Sequence, residues 1–135
     1  MLIHDPRQFQ NGARVEVPVS QLDVLPTVAE VLDYEIEGGA YKGRSLLGGP
    51  RPTEERTLMF SCWNDSGCLA SIKGSQKYIY HLDDEPEEIF DLSEDPAEQR
   101  NLAGERTTEE LKERRSELLE WRARVNSTYG VQASK

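Results

Sequence analysis

The sequence predicts an α+β fold: a four-stranded antiparallel sheet packed against a long C-terminal helix, with a helix–loop segment ahead of it. Three observations carry this. Residues 56–92 hold four short apolar-rich runs separated by turn residues, the pattern of an antiparallel meander. From Thr107 to about Ser127 the chain is polar, with a narrow apolar stripe at helical spacing. Ser20 to Tyr34 carries a broader apolar stripe behind a capping signal of its own.

Leu2-Ile3-His4-Asp5-Pro6 reads as the end of a buried strand running into a loop, its beginning absent, and Asn11-Gly12 marks a turn. Arg14 to Val19 alternates, with Val15, Val17 and Val19 on one side. Pro18 confines that run to a sheet edge or an extended approach. Ser20 then starts a helix, and Asp23 stands where a capping box needs it. Leu22, Leu25, Ala29 and Leu32 form the stripe, widened by Val24, Val28 and Val31. Pro26 is expected to divide this region into a first turn and a main helix from Pro26 to about Tyr34. Capping and helix-start bonding account for Asp23 and Thr27 better than catalysis does. Residues 34–52 are glycine-rich and aperiodic, a long surface connection.

The predicted strands are Arg56–Trp63, Cys68–Lys73, Gln76–Leu82 and Glu87–Leu92. Gly74-Ser75 is a two-residue hairpin turn. After the fourth strand, Asp95 is placed to cap a short helix. Pro96 stands at its first position, Glu98 reaches back to the cap, and Gly104 ends it. Thr107 with Glu110 caps the long helix, whose buried stripe is Leu111, Leu118, Leu119 and Val125, with Trp121 at its shoulder. Residues after Tyr129 are expected to fray.

The chain has 135 residues and a net charge of −9, which fits one domain or a piece of a larger one. That charge argues against nucleic acid and against an anionic membrane surface as partners. No apolar run is long enough to span a bilayer, and Met1 to Phe9 lacks the basic start and apolar stretch of a signal peptide. Cys62 and Cys68, with His4 and His81 as the only histidines, do not make a four-ligand zinc site. The two cysteines can pair if they lie on neighbouring strands. Two free thiols are the expectation, and geometry decides.

Several stretches carry a resemblance. Ile89-Phe90-Asp91-Leu92 followed by Asp95-Pro96-Ala97-Glu98-Gln99-Arg100-Asn101-Leu102 resembles the C-terminal region of the sulfatases, in the alkaline phosphatase-like superfamily. Ser20-x-x-Asp23-x-x-Pro26-Thr27, Gly43-Arg44-Ser45-Leu46 and Ile72-Lys73-Gly74-x-x-Lys77-Tyr78-Ile79 are similar to further segments of that region. The family usually has Tyr where this chain has Phe90. The resemblance divides the chain into 1–52, the tail end of a catalytic domain, and 53–135, a C-terminal subdomain.

The resemblance implies sulfate ester hydrolysis in a full-length parent, with calcium and a formylglycine made within a Cys/Ser-x-Pro-x-Arg motif. That motif is absent: Cys62 is followed by Trp63-Asn64-Asp65, and Cys68 by Leu69-Ala70-Ser71. Asp83-Asp84 is explained by a solvated acidic loop rather than a metal site. No catalytic residue and no metal ligand is therefore assigned, and the chain alone is not expected to hydrolyse sulfate esters. The substrate-cleft candidates are Trp63, which can stack on a ring, Asn64, and Lys73, which can attract an anion. Each also has a structural reading: Trp63 as sheet or core surface, Lys73 as a solvated turn cation. His81 has no evident acid partner and reads as a surface residue. The implied partner is an N-terminal catalytic domain, and the apolar face of helix 20–34 also offers a surface for self-association. The alternative is a standalone α+β protein-interaction module.

Overall fold

The computed structural model describes residues 17–38, 42–47, 56–62, 67–83 and 85–129. The predicted strand end at 2–6, the turn at 11–12, Trp63, Asn64 and residues 14–16 of the run 14–19 lie outside them. The chain separates into two compact units, residues 1–54 and 55–135.

In the first unit, Ser20 caps a short 3-10 turn, Gln21–Asp23, which continues as helix α1, Val24–Val31. The capping box is complete. The Asp23 carboxylate accepts from Ser20 N at 2.8 Å, and the Ser20 hydroxyl accepts from Leu22 N at 3.2 Å. Pro26 sits in the first turn of α1, where a missing N–H costs nothing. Asp33 takes a positive φ of 58° just after the helix, ending it.

The second unit holds one sheet in the order β1 (Thr57–Ser61), β2 (Cys68–Lys73), β3 (Gln76–His81), β4 (Glu88–Asp91), every neighbour antiparallel. Gly74 takes φ 58° between β2 and β3, as a tight mirror-type hairpin turn requires. Helix α2, Thr108–Tyr129, begins at the predicted box: Thr107 N donates to Glu110 at 2.8 Å, and Glu110 N to the Thr107 hydroxyl at 3.2 Å. Leu118 of α2 is fully buried with Leu69, Tyr78 and Ile89 of the sheet, and Met59, Leu111 and Trp121 pack around them. Leu119, placed in the buried stripe by the sequence, is 40% exposed.

Two further expectations are corrected here. No helix forms at 95–98. Asp95 does cap the turn, but through Arg100 N, which donates to it at 2.8 Å. Glu98 turns left-handed at φ 55°, and its carboxylate pairs with Lys77 of β3 instead of reaching back. An ion pair to a neighbouring strand displaces the local cap. Gly104 accordingly ends no helix and lies within a separate 3-10 turn, Ala103–Glu105. The second correction is the cysteines. They are not free: Cys62 and Cys68 form a disulfide, with Cα atoms 5.2 Å apart, well within the span such a bond bridges. The β1–β2 register sets them directly opposite, and Cys62 N donates to Cys68 O at 3.0 Å.

Candidate functional site

Of the three cleft candidates, only Lys73 is described. It is exposed at the last position of β2, beside the Gly74 turn. Cys68 stands at the opposite end of the same strand. Its disulfide with Cys62 leaves neither sulfur free as a nucleophile.

The sequence missed a charged cluster at the joint between β4 and α2. Arg115 of α2 pairs with Glu87, its Nε donating to Oε1 at 2.6 Å, and its guanidinium lies 5.3 Å from the centre of the Tyr80 ring. Pairing with Glu87 holds the Arg115 guanidinium above its ordinary range. Tyr78 is fully buried beside both groups, and its hydroxyl makes no hydrogen bond of good geometry. Burial, and then the Glu87 charge, push that phenol well above its ordinary range. A shallow depression of about 560 Å³ opens alongside, lined by Tyr80, His81, Glu85, Glu87, Asn101 and Arg115 among others. The signal that could have found it was the alternation placing Tyr78, Tyr80 and the residue before β4 on one face. The partner on α2, 28 residues further on, needed the docked helix.

His81 also differs from expectation, because it does have acid partners. Glu85 approaches Nδ1 at 3.4 Å and Glu88 approaches Nε2 at 3.1 Å. The Glu88 contact is a diagonal cross-strand pair, visible only once the β3–β4 register is known. His81, Asp83 and Glu85 bring their ligand atoms within 4.8 Å of one another. The set does not fit calcium, which takes six or more oxygens, and both His81 nitrogens already face carboxylates.

Asn101 is the structural centre of the joint. Its Oδ1 accepts from Ile89 N at 3.0 Å and from Ala103 N at 2.9 Å, while Nδ2 donates to Glu87 O at 3.0 Å. In the first unit, Asp23 and Thr27 do similar work. Asp23 is fully buried and accepts from Arg44 N at 2.9 Å; the Thr27 hydroxyl accepts from Leu46 N at 3.1 Å. Both side chains tie the segment 42–47 to α1, in addition to the capping and helix-start bonding expected of them.

These joints coincide with the segments that carried the resemblance, and the comparisons address it directly. Choline-sulfatase of Rhizobium meliloti (strain 1021) is 36% identical over 92 residues, which is 64% of this chain and 18% of that protein. The chain is a sulfatase homologue. No family profile matches it. Its fold recurs in a 2-O GAG sulfatase, with a TM-score of 0.59 at 21% identity. It recurs also in a Bacteroides thetaiotaomicron protein assigned to the sulfatases, with a TM-score of 0.56 at 22% identity. Each alignment covers 84% of this chain and 26% of the other. The homologue thus spans about a fifth to a quarter of the length of the proteins it matches, and what it shares with the solved structures is the fold.

Proposed function

We propose that this chain is the C-terminal part of a sulfatase-like hydrolase, with a structural, cleft-wall role and no catalysis of its own. One observation carries the reading. The chain is 36% identical to a sulfatase over 92 residues, yet has no Cys/Ser-x-Pro-x-Arg motif to supply a nucleophile. The same homology speaks against a free-standing interaction module. In this reading residues 1–52 are the tail of the catalytic domain and 53–135 its C-terminal subdomain. Calcium and formylglycine belong to the remainder of the parent, and the ester is proposed no more finely than a sulfate ester. Trp63, Asn64 and Lys73 are the positions through which the chain would meet substrate.

A further feature supports a large partner. Leu22, Leu25, Val28 and Leu32 of the first helical region are each about half exposed, along with Val24. Together they form an apolar strip that suits a surface buried against the rest of the catalytic domain. The test is sulfate release from an aryl sulfate by the 135-residue chain, with and without added calcium. No release is expected in either condition. Turnover that a chelator abolishes would overturn the proposal.

A further inference from the structure

The register of the sheet sets Cys62, Cys68 and His81 in one row across β1, β2 and β3. Cys62 N donates to Cys68 O at 3.0 Å, so the two cysteines form a hydrogen-bonded pair. Cys68 stands opposite His81. The bonded pair next along is Gly67 and Leu82, joined from Leu82 N to Gly67 O at 2.8 Å. Cys68 and His81 are therefore a non-hydrogen-bonded pair, the kind whose side chains lie closer together. Opposed residues point to one face, so all three share the face away from Leu69, Tyr78 and Ile89.

The ring is held on both sides, by Glu88 at Nε2 and Glu85 at Nδ1. Between two carboxylates an imidazole can carry a proton on each nitrogen, and it is then a cation beside the Cys68 sulfur. The two sulfurs differ in access: Cys68 is 8% exposed, whereas Cys62 is half-buried. The bond joins residues only six apart, so it closes a short loop and adds less stability than a long-range bridge. It does not set the register either. Five consecutive β1–β2 pairs lead up to it, and they keep the sulfurs opposed when the bond is open.

We propose that Cys62–Cys68 is a reversible redox pair that exchanges with small external thiols, Cys62 being the sulfur attacked and Cys68 the sulfur that leaves, assisted by His81. An external thiolate bonds to Cys62 Sγ as the Cys62–Cys68 bond breaks, and the electron pair of that bond goes to Cys68 Sγ. His81 stabilises the departing thiolate and gives it a proton. A second external thiolate then attacks the external sulfur of the mixed disulfide. Cys62 leaves as a thiolate and takes its proton from water. One protein disulfide and two external thiols thus become two protein thiols and one external disulfide. Two electrons and two protons pass to the protein, and the external thiols are oxidised. The same steps in reverse, with an external disulfide as oxidant, close the bond again. The end of β1 then carries a staple set by the thiol balance around it.

The test is reduction of the folded 135-residue chain by reduced glutathione, quenched at intervals, alkylated and read by peptide mass spectrometry. The expected rate rises in proportion to glutathione, and the trapped mixed disulfide maps to Cys62. Oxidised glutathione should then restore the bond in the reduced chain. His81→Gln keeps a polar side chain but cannot become a cation, so it should slow reduction on the order of tenfold. Lost stability cannot imitate that result, because a chain that unfolds more readily is reduced faster. A rate independent of glutathione overturns the inference, since the bond would then open only on unfolding. A mixed disulfide on Cys68 overturns it too, as does a His81→Gln chain reduced as fast as the parent. The concentration dependence and the mapping use the unaltered chain, and they decide the matter even if His81→Gln does not fold.

Discussion

At the scale of single residues, Asn101 and Tyr78 have opposite standing. Asn101 satisfies two backbone N–H groups and one carbonyl at the β4–α2 joint. Asn101→Ala should cost about 2–3 kcal/mol in urea unfolding, because the amides of Ile89 and Ala103 lose their acceptor together. Tyr78 buries a hydroxyl that gains little. Tyr78→Phe should leave the melting temperature unchanged or raise it. It should also alter the alkaline limb. A phenol whose pKa is raised in the folded state contributes stability that is intact below the ordinary tyrosine value of about 10 and is lost as pH climbs beyond it. Thermal melts between neutral pH and pH 11 should show the parent losing stability more steeply than the Phe variant. The acid side has the reverse sign. Hydrogen bonds from Ser93 to Asp91, from Arg100 N to Asp95 and from Thr107 to Glu110 hold those carboxylates below their ordinary range. Their contribution is present above about pH 4 and fades as pH falls through their folded values.

At the scale of elements, the strands were legible because period-two alternation and the Gly74-Ser75 turn agree with each other. The two capping boxes were legible for a related reason: their partners lie three residues apart, so local spacing decides them. What failed were features whose partners lie across the sheet. The helix expected from Asp95 and Pro96 gave way to a turn because Glu98 had Lys77 to bind. The disulfide depended on a register that brings Cys62 opposite Cys68. That staple closes a short loop, and removing it by Cys62→Ser/Cys68→Ser should lower stability by roughly 2 kcal/mol in the chain-entropy picture. Urea melts of the double variant and of the parent with and without reductant should agree. A parent indifferent to reductant would remove the bond from the account.

At the scale of the whole molecule, the apolar strip of α1 and the homology to proteins several times longer belong together. A Leu25→Asp/Val28→Asp variant should cost the isolated chain no more than about 1–2 kcal/mol, since those side chains are already about half in water. In a full-length parent the same changes should be strongly destabilising, by several kcal/mol, because they would bury two charges. Unfolding both in parallel checks the contrast. Equal sensitivity in the two settings would mean the strip is not a buried surface in the parent.

The sequence by itself determined the α+β class, the strand order along the chain, both capping boxes and the sulfatase relationship. All of these rest on short-range spacing or on long, ordered runs of residues. Tertiary structure alone decided the Cys62–Cys68 bond, the acid partners of His81 and the Arg115–Glu87–Tyr80 cluster. Each of these joins residues that only strand register or helix docking brings within reach, and neither is encoded in local spacing.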